Sequence, residues 1–210
     1  MPLTTAARAT TGPDAQPAAP DAPVLLLLHG YGSHEHDLLG LAPHFPAGYE
    51  AVSLRAPLQM GPVAFAWFPL ADPGLPDPAA VARATDDLLA WVDAELAGRT
   101  VVPVGFSQGG LMVTQLLRSR PGRFPAGVVL AGFTLAADLP HDDELGRVPV
   151  LYAHGDADTV ISPPTVARTS AWLRAHVALE EREYPGLAHG VSAEVLADVA
   201  EFLVRVAPGA

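Results

Sequence analysis

The segment Val101–Met112, VVPVGFSQGGLM, leaves the backbone few paths. An apolar run long enough for one buried strand meets Gly-x-Ser-x-Gly, and a helix-compatible run follows at once. A strand turning sharply into a helix places Ser107 at the tip of the turn. Gly105 and Gly109 suit such a turn because the strand and helix backbones approach closely there, and a side chain at either position would clash. A Gly-rich turn that merely contains a serine fits the pentapeptide equally well, so the remaining chain has to decide between the two.

Other short apolar runs repeat the strand signal. Val24–Leu28 is continuously apolar between Pro23 and His29-Gly30, as expected of a strand buried on both faces of a parallel sheet. Residues 49–54, 127–131 and 148–153 read the same way. Residues 179–184 set Leu179, Glu181 and Glu183 against Glu180, Arg182 and Tyr184 and are too polar for a central position, so they are assigned to a sheet edge. Helical segments separate these strands. One opens at Asp77-Pro78, an N-cap followed by proline at the first helical position, and stops near Gly98. Others run from Leu111 to Pro121, over 164–176, and along the stripe Val195, Val199, Phe202, Leu203 and Val206. A short helix over 35–41 is expected to stop at Pro43. Alternating strands and helices predict an α/β protein with a doubly wound, mostly parallel sheet in a single domain. The domain is expected over 23–210, after a loosely ordered tail over 1–22.

Composition narrows the partners. A net charge of −11 with no lysine leaves no basic cluster for nucleic acid or for stable association with anionic membranes. The chain has no cysteine, which excludes disulfides, thiolate catalysis and Cys-ligated metals. No stretch resembles a secretory leader or a membrane span, so a cytoplasmic protein is expected. Its partner would be a small molecule, and nothing in the sequence argues against a homodimer.

Ligands of doubly wound sheets bind beyond the carboxyl ends of the strands. Polar candidates other than Ser107 do follow strands. Asp156 and Asp158 come after the strand ending at Ala153, and His189 comes after the edge strand ending at Tyr184. The chain order Ser, Asp, His is that of the α/β-hydrolase triad. The residue types suit the chemistry. A serine hydroxyl needs a base to take its proton as it attacks, and a histidine titrates in the right range. A carboxylate behind the imidazole fixes its tautomer. Main-chain N–H groups of Gln108 and of Tyr31, in the loop after the Leu-rich strand, would stabilise a developing oxyanion. Trp67, Phe68, Phe133 and Leu135 are candidates for a substrate pocket, with ordinary packing as the competing reading. His34-Glu35-His36 has the look of a metal site, but it lacks a third ligand, and no metal is expected.

Together these segments resemble the bacterial carboxylesterase branch of the phospholipase/carboxylesterase family, which also holds acyl-protein thioesterases. The resemblance rests on His29-Gly30-Tyr31-Gly32, Glu35, Asp37-Leu38, Ala66-Trp67-Phe68, Gly105–Gly110, Gly132-Phe133, His154–Asp158 and His189, spread over about residues 24–206. It implies a serine hydrolase of the α/β-hydrolase fold without a large lid and without a cofactor. It also implies that the acid is the second aspartate of Gly-Asp-x-Asp, Asp158, with Asp156 bonding local N–H groups. Two departures stand out: His34-Glu35-His36 where relatives commonly carry Gly-Asn-Glu, and Ala131 where serine is usual. The expected reaction is hydrolysis of small, short- to medium-chain carboxylic esters through an acyl-enzyme. Alternatives are a thioesterase or lysophospholipase with the same triad, a non-catalytic binding module, and a dienelactone-hydrolase-like enzyme, the last weakened by the absence of cysteine.

Overall fold

The computed structural model describes residues 3, 5–14, 17–70 and 76–206. The expectations for residues 1–22 and 23–210 fall partly outside these. The strands are β1 (Ala6–Thr10), β2 (Val24–Leu28), β3 (Glu50–Leu54), β4 (Leu58–Gly61), β5 (Ala64–Ala66), β6 (Val101–Phe106), β7 (Gly127–Leu130), β8 (Pro149–Gly155) and β9 (Ala178–Tyr184). The helices are α1 (Pro78–Glu95), α2 (Gln108–Ser119), α3 (Pro163–His176) and α4 (Ala193–Arg205). Seven strands form one sheet in the order β1-β3-β2-β6-β7-β8-β9, parallel except for β1. The single-domain doubly wound sheet is therefore as expected, with β9 at its edge.

Period-two alternation on β2 divides the core. Val24, Leu26 and Leu28 face one cluster with residues of α1, α2 and α3, while Leu25 and Leu27 face another with residues of α4. Both faces of β2 are fully buried, which is why the strand reads as an unbroken apolar run. From β2 the chain moves outward to β3, then crosses back to β6 and continues the other way. The order therefore reverses between β2 and β6, and a crevice opens at their carboxyl ends.

Three local expectations change. Residues 6–10 lie in the segment expected to be a loose tail, yet they pair antiparallel with β3. Their small side chains give no hydrophobic signal, and backbone hydrogen bonds plus an Arg8–Glu50 ion pair at 2.6 Å hold them. The Pro-rich stretch after β3 contains a hairpin, β4–β5. The short helix expected over 35–41 is a 3₁₀ segment at Leu38–His44 that contains Pro43. The α1 start is as read: Asp77 accepts bonds from the N–H groups of Ala79 and Ala80.

The connection between β7 and β8 carries no large lid. It is tied down from beneath by Arg118, whose side chain is fully buried. The guanidinium donates to both oxygens of Asp142 at 2.7 Å and to the carbonyls of Leu135 and Ala137, and it lies over the Trp172 ring. Burial pushes the Asp142 carboxyl up, but Arg118 outweighs this and holds it below the usual range. Removing one partner of such a pair leaves the other charged and buried. Arg118→Ala should lower stability by about 3–5 kcal/mol in urea unfolding, and a loss below about 1 kcal/mol would contradict this role.

Candidate active site

Ser107 is one of three described non-glycine residues at positive φ. It adopts φ 55° and ψ −113°, strained for a residue with a side chain, between β6 and α2. The two glycines of the motif explain how the turn closes. A Cβ on Gly105 would lie 2.2 Å from the Gly109 carbonyl oxygen, and one on Gly109 would lie 1.9 Å from the Leu28 carbonyl oxygen. The Ser107 N–H donates to Leu130 O at 2.8 Å, anchoring the turn to the neighbouring strand end.

Asp158 and His189 meet beyond the ends of β8 and β9. His189 Nδ1 lies 2.7 Å from Asp158 Oδ2. A carboxylate only accepts, so Nδ1 carries the proton and Nε2 is left as the basic nitrogen. The other carboxylate oxygen accepts from the N–H groups of Val160 and Ile161 at 2.7 and 3.0 Å, which fixes its orientation. The imidazole packs against the Phe106 ring, with centroids 4.9 Å apart. Asp156 accepts instead from the Gly186 N–H at 2.6 Å, joining the loop after β8 to the loop that carries His189.

Ser107 and His189 line one cavity of about 320 Å³ together with Gly30 and Tyr31. The Tyr31 N–H makes no hydrogen bond among the described residues. The Gln108 N–H, at the first position of α2, has no partner within its helix. Neither N–H has a backbone partner among the described residues.

The Gln108 side chain has a further task that the motif alone does not reveal. It is buried, accepts from the Trp67 N–H at 2.9 Å and donates to Phe68 O at 2.8 Å. The Trp67 indole in turn donates to His29 O at 2.9 Å. His29 spans the same floor: Nδ1–H donates to Gly30 O, and Nε2 accepts from the Ala56 N–H at 3.1 Å. Burial lowers the His29 pKa, in keeping with the neutral ring these bonds require. Trp67 and Phe68 are buried in the core beneath the loop and are not among the residues lining this cavity. Leu135 is likewise buried and is not among the lining residues.

Phe133 does line the cavity, joined by Leu70, Phe106, Val160 and Ile161, with Ser33 and Asp37 on the loop after β2. The position of Val160 and Ile161, just after the acid, was the available sequence signal for them. In His34-Glu35-His36 the carboxylate is already engaged. Glu35 is buried and bound through both oxygens by Arg55, whose hydrogen bonds hold its carboxyl at about 2. Among the described residues no group of three His, Asp or Glu side chains is placed to hold a metal. No helix among them is long and apolar enough to cross a membrane.

A serine on a strand-to-helix turn with these neighbours, on this sheet, defines the class: a serine hydrolase of the α/β-hydrolase fold. Comparison with known proteins then gives the family. The phospholipase/carboxylesterase family model matches residues 15–207, and the chain belongs to that family. It is 28% identical to a probable carboxylesterase of Oryza sativa subsp. japonica, a match covering 91% of this chain and 80% of that one. It is 30% identical to a probable carboxylesterase, SOBER1-like, of Arabidopsis thaliana over 65% of this chain, which spans only 57% of that protein's length. The solved Bacillus cereus carboxylesterase shares the fold, with a TM-score of 0.80 at 20% identity, over 96% of this chain and 93% of that one.

Gln108→Ala would leave a buried N–H and a buried C=O unpaired beneath the serine. A loss of about 2 kcal/mol or more is expected in urea unfolding. Unchanged stability would show that the Gln108 bonds do not brace the floor.

Proposed function

We propose that this protein is a serine carboxylesterase that hydrolyses small, short- to medium-chain carboxylic esters through an acyl-enzyme. The observation that carries the reading is the His189–Asp158 bond at 2.7 Å, with His189 sharing one cavity with Ser107. In this reading Ser107 Oγ attacks the ester carbonyl carbon while its proton passes to His189 Nε2. Asp158 keeps the imidazole in the correct tautomer and stabilises the imidazolium. The carbonyl oxygen, now negative, accepts from the N–H groups of Tyr31 and Gln108. Collapse of the tetrahedral adduct breaks the bond to the alcohol, which leaves with the proton from His189. Water then attacks the acyl-enzyme carbonyl and gives a proton to His189; collapse of this second adduct breaks the bond to Ser107 Oγ, which takes that proton back from His189 as the acid is released.

The cavity size supports a small substrate. About 320 Å³ sits at the lower end of small-molecule pockets, which run from about 300 to 1,000 Å³. The polar groups at its centre and the apolar Phe133, Val160 and Ile161 around them suit an ester with a modest acyl chain.

Ser107→Ala should reduce hydrolysis of 4-nitrophenyl butyrate by about 10⁴-fold or more with the thermal transition retained. The wild-type enzyme should favour the butyrate over the palmitate ester. Substantial activity in Ser107→Ala would refute the nucleophile, while a strong preference for palmitate or for matched thioesters would replace the substrate class and keep the triad.

A further inference from the structure

The walls of the cavity differ because they come from opposite sides of the serine. The sheet order puts the loop after β2 on one side of β6 and the loops after β7 and β8 on the other. The second side supplies Phe133, Val160 and Ile161. The first supplies Tyr31, Ser33 and Asp37. Ser33 Oγ–H donates to Asp37 Oδ2 at 2.6 Å, which orients the carboxylate and leaves Oδ1 without a bond among the described residues. No arginine lines the cavity among the described residues, and the chain has no lysine. Arg55, at the end of the adjacent strand β3, is taken up by Glu35.

Building on Ser107 as the nucleophile, we infer that the acyl half of the ester lies against Phe133, Val160 and Ile161 and the alcohol half against Tyr31, Ser33 and Asp37, so that the enzyme selects esters of cationic amino alcohols and rejects those whose alcohol bears phosphate. The free oxygen of Asp37 attracts a substituted ammonium group and repels an anion. The exposed Tyr31 ring adds an aromatic face to the same wall, a surface to which cations are drawn. An alcohol carrying phosphate meets this carboxylate with no arginine in the lining, among the described residues, to offset it. Asp37 thus acts as a specificity residue, separate from bond breaking.

Three esters with one acyl group test this on the full-length protein: butyrylcholine, its uncharged isostere 3,3-dimethylbutyl butyrate, and the butyryl ester of 2-hydroxyethyl phosphate. Titration of released acid gives kcat/KM for each. The choline ester should exceed the isostere by about fivefold, and the phosphate ester should fall below it by a similar factor. Asp37→Asn should bring the choline-to-isostere ratio close to one. Glu95→Gln, which removes the same charge from α1, should leave that ratio as in wild type. Raising salt from about 0.05 to about 0.5 M should shrink it. A ratio unmoved by Asp37→Asn, or a phosphate ester cleaved as fast as the choline ester, overturns the inference. Hydrolysis of the isostere without choline preference overturns it while leaving the esterase reading intact. Failure to hydrolyse any of the three overturns both.

Discussion

The approach of α2 to β2 is one of the two closest steric constraints among the described residues. The Gly109 backbone sits so near the Leu28 carbonyl that a methyl group there would lie 1.9 Å from its oxygen. That approach bends the chain at Ser107 into a positive φ and lifts the serine out of the sheet. It also brings the start of α2 beside the loop after β2, next to the cavity that Tyr31 and Ser107 line. The strain at Ser107 persists because its neighbours determine it on every side: the Leu130 carbonyl, the packed glycines and the buried Gln108 side chain.

The histidine is held by different means. The loop after β9 is joined to the loop after β8 by main-chain bonds from Asp156 N–H to Tyr184 O and from Ala157 N–H to Leu187 O, and by the Asp156 side chain on Gly186 N–H. Gly155 allows the two loops to touch, since a Cβ there would lie 1.9 Å from Leu187 O. Asp158 is then aimed by two backbone donors before it meets His189. Each group of the site depends on a supporting set of backbone bonds, which is how a small sheet holds three side chains from three loops in register.

Much of this was legible in the sequence. Central parallel strands announce themselves as unbroken apolar runs, because β2, β6, β7 and β8 are buried on both faces. The turn at Ser107 shows in its two glycines, and Asp158 and His189 show in their positions after strands. What was hidden depends on pairing or direction. Strand β1 is held by backbone bonds and has no apolar pattern. Trp67 and Phe68 have the composition of a pocket wall, yet the Trp67 indole donates to His29 O and its ring turns inward. No local pattern tells which way an aromatic side chain in an irregular loop points. The role of the Gln108 side chain also needed three dimensions, since its partners lie about forty residues away.

Reaction of the folded protein with a small fluorophosphonate, followed by intact-mass and peptide analysis, tests most directly whether Ser107 is an activated nucleophile. One adduct per chain is expected, located on Ser107. An unmodified protein, or an adduct on any other residue, would contradict it.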